Sequence, residues 1–166
     1  MGLLRRGLDG PKFQMRQKLL AIGDDFWIED DEGNKVFKVN GKAVRLRETF
    51  ILEDTNGNEL VKIQEKKLSV RDKMTIERSG TKATVHKRLM GIRDHFVIDV
   101  DGGEDLKAHG NMLDHEYEIE RDGNTVATVS KKWFRLRDSY GVQLAEGEDV
   151  ALILAITVCV DAMSHD

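Results

Sequence analysis

The chain has 166 residues, of which 40% are apolar, 34% charged and 6% aromatic, the profile of one soluble globular domain able to bury a sizeable core without metals or cross-links. Twenty-six Lys and Arg against thirty Asp and Glu leave a formal charge of −4, which argues against a nucleic-acid partner. The single cysteine, Cys159, excludes a disulfide framework and a thiolate zinc cluster, and it fits a reducing, cytoplasmic location.

Residues 1–12 are expected to form a flexible leader ahead of one domain over 13–166. Within the leader, Gly2-Leu-Leu-Arg-Arg-Gly-Leu8 pairs apolar with basic residues, a combination suited to an anionic membrane surface. Arg6 stands where a myristoylation signal needs Ser or Thr, so a lipid anchor is not expected. No secretory signal is evident. The longest apolar run, Val150 to Val160, is too short to cross a bilayer, which takes ~20 residues.

From Met15 onward the sequence repeats. An apolar-polar-apolar step recurs as Phe26/Ile28, Phe50/Leu52, Met74/Ile76, Phe96/Ile98, Tyr117/Ile119 and Tyr140/Val142, at intervals of 21 to 24 residues. Most steps run into an acidic turn signal such as Asp31-Glu32-Gly33-Asn34, Asn56-Gly57-Asn58 or Asp122-Gly123-Asn124. A second alternating stretch follows each turn, seen in Phe37/Val39, Val61/Ile63, Ala83/Val85, Leu106/Ala108 and Ala127/Val129. Alternation of period two means strands with one buried face, and the count is twelve. Eight residues beyond Val39, Ile63, Val85 and Val129 stand Arg47, Arg71, Arg93 and Arg137, each followed by an acid. The apolar parity slips between Ala43 and Val44, Lys67 and Leu68, Leu89 and Met90, and Trp133 and Phe134, which predicts β-bulges at barrel corners.

The segment of about 148–163 breaks the repeat. Glu148 and Asp149 suit a helix N-terminus, and the apolar run behind them has no polar stripe, which predicts a helix buried on every side. A closed barrel of more than ~8 strands has a lumen too wide for its own side chains to fill. A helix ~10–12 Å across fills it, so the expected fold is mainly β: a twelve-stranded closed β-barrel enclosing a hydrophobic C-terminal α-helix.

Met15-Arg-Gln-Lys-Leu-Leu-Ala-Ile22, the recurring Arg-Asp/Glu turns, Asn111-Met-Leu-Asp-His-Glu-Tyr-Glu-Ile119 and the closing hydrophobic helix together resemble the LURP-one-related proteins, over about residues 13–163. The resemblance implies a tubby C-terminal-like fold, with twelve strands around a central helix. It implies association with pathogen defence in plants and supplies no catalytic motif. Phospholipid scramblases share the fold class but carry an acylated cysteine cluster, which this chain lacks.

Three basic pairs fall at matching places in three units: Lys66-Lys67, Lys87-Arg88 and Lys131-Lys132. Because tubby-like domains bind phosphoinositides through basic side chains on the barrel wall, the resemblance makes these six residues the candidate site for an anionic ligand. The competing reading is a solvated face whose lysines protect strand edges. The Arg-acid pairs read as an anion-binding rim or as scaffolding repeated at every corner. Asp114-His115-Glu116, with His109 nearby, is the one cluster that suggests metal or acid-base chemistry, but consecutive strand residues face opposite ways and do not converge. Trp27 and Trp133 offer either a binding surface or a shield for the sheet. No nucleophile motif and no phosphate-binding glycine loop is present. The expectation is a non-enzymatic cytoplasmic binding module, peripheral to the membrane, for anionic phospholipid headgroups or a protein partner, with no cofactor, no metal and no catalytic residues. The alternatives are a structural interaction protein without a lipid ligand, or an enzyme built on the Asp114 to Glu116 region.

Overall fold

The computed structural model describes residues 8–16, 25–44, 47–65, 73–90, 93–133 and 139–164. Twelve strands run in chain order: β1 (Lys12–Arg16), β2 (Phe26–Asp30), β3 (Lys35–Val44), β4 (Arg47–Asp54), β5 (Glu59–Glu65), β6 (Lys73–Arg78), β7 (Thr81–Met90), β8 (Arg93–Val100), β9 (Leu106–Asn111), β10 (Glu116–Arg121), β11 (Asn124–Ser130) and β12 (Ser139–Leu144). A 3-10 turn, Lys131–Trp133, follows β11, and helix α1 (Val150–Ser164) closes the chain. Each strand pairs antiparallel with its sequence neighbours, and β1 pairs with both β2 and β12, so the sheet closes without an edge.

The period-two pattern puts alternate side chains into the lumen. Ile28, Val39, Leu52, Ile63, Ile76, Val85, Phe96, Ile98, Ile119 and Val142 are all buried there. The outward positions between them carry Lys62, Thr75, Thr84, Lys107 and Glu118, the reverse of a barrel that faces lipid along its wall. Helix α1 threads the lumen: Ala151 and every residue from Ile153 to Met163 are buried, which is why no polar stripe exists in its sequence. Asp149 caps its start, its side chain accepting from Leu152 N at 3.4 Å and its carbonyl from Ile153 N at 3.1 Å. At 15 residues the helix is ~22 Å long, enough to run the height of the wall.

The two ends of the barrel differ. The β2–β3, β4–β5, β6–β7, β8–β9 and β10–β11 hairpins lie at the end where α1 begins. Asp122 and Gly123 (φ 51° and 78°) form the two-residue connection from β10 to β11, both in the left-handed region that such a turn needs. Asp30 and Asp54 build matched loops: Asp30 Oδ1 accepts from Glu32 N and Asn34 N at 3.0 and 2.9 Å, and Asp54 Oδ1 from Asn56 N and Asn58 N at 2.9 Å each. Backbone hydrogen bonding to Asn34 lowers the Asp30 carboxyl below its ordinary range, and hydrogen bonds from the side chain and backbone of Asn58 do the same for Asp54.

The predicted bulges are corrected by the pairing. β3 and β4 run in unbroken register from Phe37↔Asp54 to Val44↔Arg47, and β7 and β8 from Ala83↔Val100 to Met90↔Arg93. The parity slips at Ala43/Val44 and Leu89/Met90 thus fall on regularly paired residues of these two hairpins. Pairing to β2 is described as far as Val39 and pairing to β6 as far as His86; the segments that lead into β2 and β6 lie outside the described residues. β11 ends at Ser130 and turns into the 3-10 segment before Trp133/Phe134, while Lys67/Leu68 lies outside the described residues. The register shifts that do occur, at Ile28/Glu29, Leu52/Glu53 and Ile119/Glu120, sit beside the hairpins at the other end.

Candidate functional site

The end of the barrel where α1 finishes collects most of the chemistry. Lys87 follows Val85 on the inward parity of β7, opposite Phe96, and is half-buried; Arg88 is exposed opposite His95. Lys131 and Lys132 form the 3-10 turn after β11, the first half-buried and the second exposed. That turn is fixed by Glu116, whose Oε1 accepts from Ser130 Oγ at 3.0 Å and Lys131 N at 3.1 Å, and by Ser130 Oγ, which accepts from Lys132 N at 3.1 Å. Lys66 and Lys67 fall outside the described residues, as do the pairs at Arg71 and Arg137. β7 and β11 are separated by β8, β9 and β10, so their basic residues stand about 19 Å apart along the wall at ~4.8 Å per strand. The structure therefore brings Lys87-Arg88 and Lys131-Lys132 to one end of the barrel but not into one pocket. Between them, the β9–β10 turn presents Leu113, which is 63% exposed.

Beneath this rim the structure gathers a buried polar cluster. In the turn Asn111–His115, Asn111 Oδ1 accepts from Asp114 N at 3.1 Å and Met112 O accepts from His115 N at 3.2 Å. His115 takes φ 52°, which turns its side chain into the lumen. Its ring stacks on Tyr140 at 4.2 Å with 5° between planes, and Nε2 lies 3.5 Å from Oδ1 of Asp161 on α1. Asp161 is only 2% exposed, and burial pushes its carboxyl up to about 8, with the charge on Lys131 pulling the other way. Tyr117 hydrogen-bonds to Thr157, which itself donates to Ile153 O at 2.9 Å; burial and the nearby Asp161 raise both Tyr117 and Tyr140.

Asp114, His115 and Glu116 thus point three ways: to Asn111, to Asp161 and to the 3-10 turn. Sequence reasoning missed Asp161, Tyr117, Tyr140 and Leu113 as members of this end. A signal existed, because Asp161 is the one acid among the apolar residues of α1 and Tyr117 and Tyr140 are the only two tyrosines in the chain. Cys159 is fully buried in the same helix, and burial pushes its thiol up, away from reactivity. The tryptophans are covered by cations: Lys12 Nζ lies 4.8 Å from the Trp133 ring, and Lys35 and Lys38 lie 5.5 and 5.7 Å from that of Trp27.

At the opposite end a cleft of about 270 Å³ lies between the start of α1 and the β6–β7 hairpin. Its cations are engaged: Arg78 Nε contacts Asp149 Oδ2 at 2.8 Å, and Lys82 Nζ lies 3.7 Å from Glu77. Arg121 contacts both oxygens of Glu148, at 2.6 and 3.0 Å, and ties the helix start to β10. The exposed acids Asp31, Glu32, Asp101, Glu104, Asp122 and Glu146 surround this end. Among the described residues, exposed acids thus cluster at this end, while exposed Arg88 and Lys132 stand at the other.

A closed twelve-stranded barrel plugged by its own C-terminal helix defines the class of protein. Within that class, the match of the LURP-one-related family over residues 12–161 shows that the chain belongs to this family. It is 31% identical over 153 residues to the uncharacterized protein YxjI of Bacillus subtilis (strain 168), an alignment covering 92% of this chain and 93% of that one. Its fold is similar to that of the protein AT5G01750 of Arabidopsis thaliana, with a TM-score of 0.69, 18% identity, and 95% and 94% of the two chains covered. No helix among the described residues is long and apolar enough to cross a membrane.

Proposed function

We propose that this chain is a non-enzymatic, cytoplasmic binding module that docks the α1 C-terminal end of its barrel on an anionic phospholipid surface. The observation that carries the reading is the company kept by Leu113: an exposed aliphatic side chain on the β9–β10 turn, flanked along the rim by Lys87-Arg88 on one side and Lys131-Lys132 on the other. An apolar tip that enters the headgroup layer with cations around it is the chemistry of peripheral attachment. The acidic mouth at the other end orients the molecule, because an anionic surface repels it. A plane of headgroups suits cations about 19 Å apart better than a single headgroup does. A protein partner is less favoured, since among the described residues one exposed aliphatic side chain falls far short of the several hundred Å² of apolar surface that marks a protein-docking patch. The cleft at the start of α1 offers an enzyme little, as it is smaller than usual ligand pockets and its cations are already paired.

Sedimentation with phosphoinositide-containing vesicles tests the proposal. Binding should weaken with salt, fall at least tenfold in Arg88→Glu/Lys132→Glu and fall in Leu113→Asp, at about 1 kcal/mol per lost cation. Lys82→Glu at the opposite end should leave it unchanged. Equal pelleting with neutral vesicles, or undiminished binding by the double variant, overturns the reading.

A further inference from the structure

Three of the chain's five histidines, His86, His95 and His109, occupy outward positions on the adjacent strands β7, β8 and β9. His86 Nε2 contacts Asp99 Oδ2 at 2.8 Å, a simple cross-strand pair. His109 has a richer setting. It stands directly opposite Glu118 of β10 and directly opposite His95 of β8, while Glu120 lies two residues along the same face of β10. His109 Nε2 is 2.8 Å from Glu120 Oε1, and one donor atom each of His109, Glu118 and Glu120 lies within 4.8 Å of the other two.

From this geometry we infer a divalent transition-metal site on the outer wall of the barrel, with His109 Nε2, one Glu118 oxygen and one Glu120 oxygen as its protein ligands. The donor set mixes one imidazole with two carboxylates, which suits zinc, cobalt(II) or manganese(II) better than calcium or magnesium, whose sites are all oxygen. Around a zinc ion with bonds of ~2.1 Å, tetrahedral ligand atoms are about 3.4 Å apart. Donors already within 4.8 Å reach that spacing by rotation of glutamate side chains, without backbone movement. Two of the three ligands come from one strand and the third from its hydrogen-bonded neighbour, so the sheet holds their Cα positions before metal arrives. All three residues are half-buried, which lowers the local dielectric while leaving an open face for solvent ligands. The site is separate from the rim proposed for lipid, because its ligands lie on the wall strands and none of them is a lysine or arginine of that rim.

Isothermal titration with zinc chloride, paired with native mass spectrometry, reads the site directly. One equivalent per chain is expected for the native sequence, with affinity lowered tenfold or more in His109→Ala and in Glu118→Gln, and unchanged in His86→Ala. Circular dichroism checks that each variant is folded, and cobalt(II) absorption gives a second readout for any variant that is not fully stable. Affinity unaffected by His109→Ala or Glu118→Gln, or lost equally in His86→Ala, overturns the inference, as does absence of a one-to-one complex at about neutral pH.

Discussion

Replacing Asp161 by Asn separates the charge of the buried carboxyl from its shape. The carboxyl is raised from 3.8 to about 8 by burial, so across that interval the folded chain holds a proton that the unfolded chain has released. Stability from this group is fully present below about pH 4 and is lost as pH rises through about 8, because the native state must then either keep an uptake cost or bury an anion. At ~1.4 kcal/mol per unit, the loss between about pH 5 and pH 8 is on the order of 4 kcal/mol. For a chain of this size that corresponds to a melting temperature lower by roughly 10 °C. Asn cannot ionise and still offers an N–H donor toward His115, so Asp161→Asn should match the native chain near pH 5 and exceed it progressively up to about pH 9. Thermal melts followed by circular dichroism at several pH values measure the difference between the two chains, which cancels the surface carboxylates common to both. Parallel pH profiles would refute the account of Asp161 as a buried acid that is neutral near pH 7.

Four further substitutions probe the frame. Leu154→Asp should abolish folding, because position 154 is fully buried at the centre of α1 and a charge there has only apolar neighbours; a cooperative melt near the native temperature would show that the helix is dispensable. Leu154→Ala should retain the fold with a loss of about 2 to 5 kcal/mol in urea unfolding. Gly110→Ala should cost more than ~2 kcal/mol by the same measure, since Gly110 has φ 134° and a Cβ there would meet Glu116 O and Tyr117 Cα at 2.7 Å; a neutral effect would contradict the close approach of β9 to β10. Arg121→Ala should cost about 1 to 3 kcal/mol by leaving the half-buried Glu148 without its two charge-assisted contacts, and it should not affect vesicle binding at the other end.

The barrel was legible in the sequence because a closed sheet around a helix imposes a strict period. Ile28, Leu52, Ile76, Ile98 and Ile119 must face the lumen, and an apolar helix without a polar stripe must be surrounded. The slips in alternation at Ala43/Val44 and Leu89/Met90 misled the reading, since β3–β4 and β7–β8 pair there without a shift in register. The polar end was less legible for a different reason. His115 and Asp161 are 46 positions apart, and their meeting depends on a left-handed turn residue and on which face α1 offers at its last turns. Neither is encoded in local periodicity. The wall cluster of His109, Glu118 and Glu120 depends on the β9–β10 register, which follows from the length of the Met112–His115 turn and from no pattern in the residues themselves.

Filling the lumen with α1 decides where recognition occurs. The inward side chains and the helix are packed against one another, with twelve of the fifteen helix residues buried, so a ligand gains nothing from the interior without displacing the core. What remains are two rims and an outer wall. The acidic rim is occupied with anchoring the helix start through Arg78–Asp149 and Arg121–Glu148. The opposite rim has the exposed Arg88, Lys132 and Leu113, and beneath it His115 and Asp161 couple the β9–β10 turn to the helix end. A turn that is held from inside by a buried polar contact presents its tip at a fixed height, and a fixed tip loses less conformational entropy on contact with a membrane than a loose loop does. Asp161→Asn therefore carries a second consequence: by keeping a partner for His115 it should leave vesicle binding intact, whereas His115→Ala should weaken binding through a loosened Leu113 even though residue 115 never reaches the surface. Equal binding by native and His115→Ala chains would mean that the rim works without support from the core.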